Sequence, residues 1–310
     1  MRLTRPSIRV LVAGLVLFTV ALAAPTAARL VRPADLTTLV TPPPGSLRPV
    51  TAFSHVYVIV LENKAYGQIV GNADAPYLNE LIARYGLAES YQAVAHPSQP
   101  NYLALVSGST LGVGNNDPHD VTAPTVFDQL EQAGRSWRVY AENLPPGCFP
   151  GATADGGRDG PGTYVRKHNP AISFTGIGSS PARCSNIQDL TAFDPAAADL
   201  EFIIPNLCHD MHDCSVIDGD AWLRTFVPRI LGSPAFQSGG ALFITFDEGS
   251  ESADASNHIA TIVVGPTVPS GFRSATPHTH YSLLRTIQDS WGLACLAASC
   301  AANTLGEFFR

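Results

Sequence analysis

Short apolar runs bounded by turn residues alternate along the chain with stretches of helical period. Uninterrupted apolar runs of four to eight residues read as buried strands, and apolar positions recurring three and four apart read as helices. On this basis strands are expected at Val56–Leu61, Trp137–Ala141, Phe202–Ile204, Ala241–Phe246 and Ile259–Val264. Helices are expected at Ala75–Tyr85, Gln99–Val106, Thr125–Ala133, Asp220–Leu231 and Tyr281–Trp291. Strand-helix alternation predicts an α/β domain with a mainly parallel sheet covered on both faces. The stretch Pro145–Ser180 is rich in Gly and Pro and breaks the pattern, so it is expected to form a rim or lid.

Two regions stand outside this alternation. Arg2, Arg5 and Arg9 precede an apolar run from Val10 to Ala24, and small residues follow, which is the pattern of an export signal over residues 1–28. The run is short against the roughly twenty residues of a membrane span. Residues 29–52 carry Pro33, Pro42, Pro43, Pro44 and Pro49 and read as an extended linker, leaving 53–310 as the catalytic domain.

Composition narrows the classes. The chain is 45% hydrophobic and 15% charged, which excludes disorder. Its formal net charge of −7, with basic residues scattered, gives no field to collect nucleic acid. Six cysteines in an exported chain favour disulfides. Local closure makes Cys208–Cys214 and Cys295–Cys300 the easiest pairs and leaves Cys148 with Cys184. A zinc site is the rival reading, but there is no CxxC pair.

Candidate chemistry gathers where apolar strands end, since ligands of open parallel sheets bind beyond the carboxyl ends of the strands. Val56–Leu61 runs into Glu62-Asn63, and Ala241–Phe246 runs into Asp247-Glu248. Three carboxylates and an amide at such positions need a cation to hold them together. Ser98, just ahead of Pro100 and an apolar helix, sits where an N-cap belongs and where a phosphate could be cradled. A third strand end, after Phe202–Ile204, leads into His209-Asp210-Met211-His212-Asp213. His55, His119, His258 and His278 read as structural.

Taken in order, LEN at Leu61–Asn63, HPSQPNYLALVSG at His96–Gly108, RKHNP at Arg166–Pro170, DMHD at Asp210–Asp213, TFDE at Thr245–Glu248 and HYSLLRTIQD at His280–Asp289 form a pattern. It resembles the bacterial phosphoesterase family of secreted acid phosphatases and phospholipases C, in the alkaline-phosphatase-like superfamily, and is closest to the mycobacterial-type secreted acid phosphatases. The resemblance implies an alkaline-phosphatase-like three-layer sandwich. It implies metal binding by Glu62, Asn63, Ser98, Asp247 and Glu248, with Ser98 as nucleophile. It places His96, Lys167, His168, His212 and His280 around the phosphate, with Asp210 nearby; His212 is the first choice of proton donor and His280 the second. Glu248 stands where many superfamily members carry histidine, which favours one oxygen-loving divalent ion, calcium first, with magnesium, manganese or zinc as alternatives.

The expected function is that of a secreted or cell-surface, metal-dependent phosphomonoesterase working through a phosphoserine. The expected substrate is a small-molecule or lipid phosphate ester, phosphoinositides included. The protein is expected to be a monomer, without nucleic-acid partners or a membrane span after signal cleavage. Rival readings are a phospholipase C type phosphodiesterase, disfavoured by the short chain, and an inactive binding protein.

Overall fold

The computed structural model describes residues 50–154, 160–250 and 255–310. The expected signal and most of the expected linker lie outside these residues. Ten strands follow in chain order: β1 (Val56–Leu61), β2 (Gly86–Ala88), β3 (Tyr91–Gln92), β4 (Trp137–Ala141), β5 (Ile187–Asp189), β6 (Leu200–Ile204), β7 (Ala241–Phe246), β8 (Thr261–Val264), β9 (Phe272–Ser274) and β10 (His278–Thr279). The helices are α1 (Pro76–Arg84), α2 (Ser98–Ser107), α3 (Val126–Gln132), the short turns α4 (Thr175–Gly178) and α5 (Pro181–Cys184), α6 (Val216–Leu231), α7 (Pro234–Gln237) and α8 (His280–Ser290).

Eight strands form one sheet in the order β5-β4-β6-β1-β7-β8-β2-β9, and β10 pairs with β3 in a small ribbon. Within the large sheet only β8 runs antiparallel to its neighbours β7 and β2. Every residue of β1 and β7 is buried, as a parallel strand covered on both faces demands. Two groups of packed helices supply that cover: α2 with α3 and α8, and α1 with α6. The expected α/β class and mainly parallel sheet are thus observed.

β1, β4 and β7 begin and end where the apolar runs do. The other elements differ for local reasons. α6 starts at Val216 rather than Asp220, because Ser215 accepts from the Asp218 N–H while Asp218 accepts from the Ser215 N–H and hydroxyl. β8 starts at Thr261, since the Ile259 N–H is spent on the Tyr91 carbonyl at 3.0 Å. The short strands β2, β5 and β9, of three residues each, carry too little periodicity to be read in advance.

Disulfides join Cys148 to Cys184, Cys208 to Cys214 and Cys295 to Cys300. The described part of the 145–180 stretch is a packed wall rather than a lid. Arg166, buried, donates to the Asp120 carboxylate at 2.5 Å and to the His119 carbonyl at 3.1 Å, and Asn169 caps the turn before α4 through Ala171 and Ile172. No helix among the described residues is long and apolar enough to cross a membrane.

Candidate active site

The register that pairs Leu61 with Phe246 sets Glu62 and Asp247 side by side at the carboxyl ends of β1 and β7. Three backbone bonds fix the rims. The Asp247 N–H donates to the Leu61 carbonyl at 2.9 Å, the Glu62 N–H to the Asp210 carbonyl at 2.8 Å, and the Asn63 N–H to Asp247 Oδ1 at 3.1 Å. Asp210 belongs to the loop between β6 and α6 that the Cys208–Cys214 bridge closes. Three distant segments therefore meet in one pocket.

Ser98 is the first residue of α2, and the N-cap position is Pro97. Its hydroxyl is not a cap: it lies 3.1 Å from both Glu62 Oε2 and Glu248 Oε1. Asn101, one turn into the same helix, folds back on the approaching loop. Its Oδ1 accepts from the Val94 and Ala95 N–H groups at 3.0 Å, and its Nδ2 donates to the Ala95 carbonyl at 2.9 Å. At the other end of α2, Gly108 adopts a left-handed φ of 73°, where a side chain would collide with the Leu296 carbonyl. The helix that presents Ser98 is held at both ends.

The carboxylates crowd. Glu62 and Asp247 are fully buried, Asp210 and Glu248 nearly so. Burial pushes the Glu62 carboxyl well above the ordinary range, and the negative Asp210 adds to it, while the Tyr102 hydroxyl, donating to Glu62 Oε1 at 2.5 Å, opposes it. Burial also raises Asp247, reinforced by Glu62 and Glu248, and raises Asp210, reinforced by Asp247 and Asp213. Oδ2 of Asp247 and Oδ2 of Asp210 have no hydrogen-bond partner among the described residues. A divalent cation bound by hard oxygens suits such a donor set. Among the described residues no group of three or more His, Cys, Asp or Glu side chains is placed to hold a metal ion by itself. The fit therefore rests on the donor chemistry and includes the oxygens of Ser98 and Asn63.

The other expected residues fall into distinct positions. His96 pairs with Glu248 through Nδ1. His168 is buried, stacked on Tyr102 at 5.2 Å between ring centroids. Its nitrogens lie 3.2 Å from Glu62 Oε1 and 3.4 Å from Asp210 Oδ2, without hydrogen-bond angles. Burial, with Lys167 and His212 nearby, holds it neutral, its pKa pushed well below the usual histidine value. It lies buried between the Glu62 and Asp210 carboxylates. His212 is partly exposed, its ring centroid 6.0 Å from that of His168, with Nδ1 2.6 Å from Asp213 Oδ1, an arrangement that fixes the ring and leaves Nε2 unbonded among the described residues. Both nitrogens of His280 are engaged: Nε2 faces the Asp247 carbonyl at 2.5 Å and Nδ1 the Tyr91 hydroxyl at 3.3 Å. Burial depresses its pKa to about 4. With both nitrogens so placed, His280 props the Asp247 loop, and of the two expected proton donors His212 is the one with a ring nitrogen left unbonded among the described residues.

Three residues escape the sequence reading. Lys64 donates through Nζ to the Met211 carbonyl at 2.7 Å and to Asn63 Oδ1 at 3.4 Å, tying the disulfide loop to the end of β1. Tyr102 holds Glu62. Asn257, at a left-handed φ of 57°, accepts from the Gly249 N–H at 2.7 Å, donates to the Ala95 carbonyl at 3.0 Å, and accepts from the Ala93 N–H at 3.0 Å. It staples the nucleophile loop to the acidic loop. Only two of them carry a signal in the sequence: Tyr102 lies inside the HPSQPNY run, and Lys64 directly follows the LEN run.

Residues 71–294 match the family model described as the Phosphoesterase family. This chain belongs to that family. It is 31% identical over 266 residues to an acid phosphatase of Aspergillus fumigatus, covering 82% of this chain and 58% of that protein. It is 32% identical to a phosphatidylinositol-3-phosphatase of Mycobacterium tuberculosis, covering 78% of each. The chain spans just under six-tenths of the length of the fungal acid phosphatases it matches. Among solved structures, a phosphonate monoester hydrolase from Silicibacter pomeroyi superposes with a TM-score of 0.57 at 12% identity over 82% of this chain and 76% of that one. A Vibrio parahaemolyticus protein of the alkaline phosphatase superfamily superposes at 0.52 with 12% identity, over 82% of this chain and 71% of that one. These likenesses show that the chain shares the fold of those two proteins.

Proposed function

We propose that the chain, as a secreted or cell-surface protein, hydrolyses phosphate monoesters with Ser98 as nucleophile. The observation that carries this reading is the Ser98 hydroxyl, 3.1 Å from each of two buried carboxylates at the head of a helix. A family of acid phosphatases supports the reaction class, and the export-like N-terminus and three disulfides support the compartment.

Either Glu62 or Glu248 accepts the Ser98 proton. The Ser98 oxygen then bonds to phosphorus as the bond from phosphorus to the alcohol oxygen breaks. His212, oriented by Asp213, gives its Nε2 proton to the departing alcohol. Water subsequently attacks the phosphoserine and gives a proton to His212 as the bond from phosphorus to the Ser98 oxygen breaks; the carboxyl group that took the Ser98 proton returns it to the serine oxygen, and inorganic phosphate leaves. When bound by Glu62, Asn63, Asp247, Glu248 and Ser98, one divalent cation, calcium in first place, supplies positive charge for the serine oxygen and the phosphoryl oxygens. His96 and Lys167, with His168 and Asp210 nearby, bind the phosphoryl oxygens.

The test pairs acid-quench mass spectrometry of the parent, which should trap phosphate on Ser98, with turnover and melting of Ser98→Ala. The variant should melt near the parent temperature and lose turnover by about three orders of magnitude or more. Chelation should stop turnover, lower the melting temperature, and be reversed by a single divalent metal. A folded Ser98→Ala protein that keeps most of its turnover would falsify the mechanism.

A further inference from the structure

Beside the nucleophile lies a cavity of about 330 Å³, with Asn116, Asp117 and Pro118 on its walls together with Ala152, Thr153 and Lys167. Two contacts join it to the reacting centre. Asn116 Oδ1 accepts from the N–H of Gln99, the residue after Ser98, at 3.0 Å. Lys167 stands close enough to Glu62 and His168 for its charge to act on both. Its ammonium has no hydrogen bond or ion pair among the described residues, whereas its neighbour Arg166 is neutralised by Asp120.

Resting on the proposed phosphatase reading, we propose that this cavity receives the alcohol half of the ester and selects a small polyhydroxylated alcohol. The wall chemistry carries the choice. Asn116 Nδ2 is a donor and the Asp117 carboxylate an acceptor with no partner among the described residues, and Thr153 adds a hydroxyl. Donors and an acceptor around one small space suit an alcohol bearing several hydroxyls, which presents both roles at each carbon. The alternatives fit poorly. None of the described lining residues is aromatic, so a nucleoside base has nothing to stack on. The volume lies at the small end of ligand pockets and fits an alcohol of a few carbons. Asp117 repels a second phosphate on the same alcohol, while Lys167 is directed to the phosphoryl group being transferred. The selected esters are monophosphates of sugar-like or glycerol-like polyols.

The experiment compares p-nitrophenyl phosphate, glycerol 2-phosphate, myo-inositol 1-phosphate and myo-inositol 1,4-bisphosphate, using the parent, Asp117→Ala and Asp117→Asn. Asp117 is exposed, so both variants should fold, and melting curves verify it. Asp117→Ala should lower kcat/KM for the two polyol monophosphates about tenfold relative to p-nitrophenyl phosphate, mainly through KM. Asp117→Asn should raise use of the bisphosphate relative to the monophosphate by about fivefold or more. Equal effects on all four esters would overturn the subsite while leaving the phosphatase reading intact. Failure of the parent to hydrolyse any of the four would overturn both.

Discussion

Glu62 and Glu201 are both fully buried glutamates on neighbouring strands of one sheet, and they solve the same problem in opposite ways. Glu201 lies inside β6, in register with Tyr57 of β1 and Arg138 of β4. It accepts from the Ala198 N–H at 3.1 Å, its other oxygen has no partner among the described residues, and burial raises its pKa to about 8. A solitary buried carboxyl of this kind settles its desolvation by holding a proton. Glu62 has the same burial, but Asp247, Asp210 and Glu248 surround it and it shares the Ser98 hydroxyl with Glu248. A divalent cation suits such a set of oxygen donors better than one proton on each carboxyl does. Burial and a raised pKa are thus no mark of function by themselves, and convergence on a nucleophile is.

The sharpest way to break this contrast is to remove one carboxylate from each side. Glu62→Gln should lower kcat by about three orders of magnitude and weaken divalent-metal binding in calorimetry, with the fold preserved. Metal binding of parental strength in that variant would show that the cluster is only a second Glu201. Next in size is His212→Gln, for which a drop of about a hundredfold is expected with alkyl phosphates. The drop should be much smaller with p-nitrophenyl phosphate, whose leaving group needs no proton. An equal loss for both esters would remove His212 from the proton-donor role.

Asn257→Gly keeps the left-handed backbone and deletes only the staple between the two loops. We expect kcat to fall about tenfold with KM little changed and slower trapping of phosphate on Ser98. An unaltered kcat would mean that the loops hold their places without the amide.

Glu201→Gln should act on stability alone. Because the folded pKa of about 8 lies above the ordinary glutamate value of 4.5, the folded state holds a proton that the unfolded state releases. That contribution is fully present below about pH 4.5 and is lost as the pH rises through 8. The variant should therefore melt a few degrees higher than the parent at pH 7–8, with a flatter dependence of melting temperature on pH and parental turnover. A parent whose melting temperature does not fall between pH 5 and 8 more steeply than the variant's would contradict the assignment.

The parts of this molecule that were legible in its sequence are those governed by neighbours in the chain. β1, β4 and β7 were readable because buried parallel strands are unbroken apolar runs, and their acidic ends stood out for the same reason. Ser98 was readable as special but ambiguous, since a helix start admits both a cap and a nucleophile; its contacts with Glu62 and Glu248, which argue against the cap, come from far along the chain. Asn257, Asn101 and the engaged nitrogens of His280 were not readable. Their roles consist of bonds to backbone atoms far along the chain, and no local pattern announces a partner that folding alone supplies. The three-residue strands are invisible for a related reason, being recruited by the sheet rather than by their own propensity.

The order of strands also sets a clock. β1 is bracketed by β6 and β7, and the Ser98–Glu248 contact spans 150 residues. A nascent chain that has released β1 and α2 but not β7 holds Ser98 and Glu62 without Asp247 and Glu248. At roughly 5–20 residues per second, the interval between the emergence of Ser98 and of Glu248 is on the order of ten seconds. During that time the growing polypeptide carries no complete pocket and spares the phosphate esters around its ribosome.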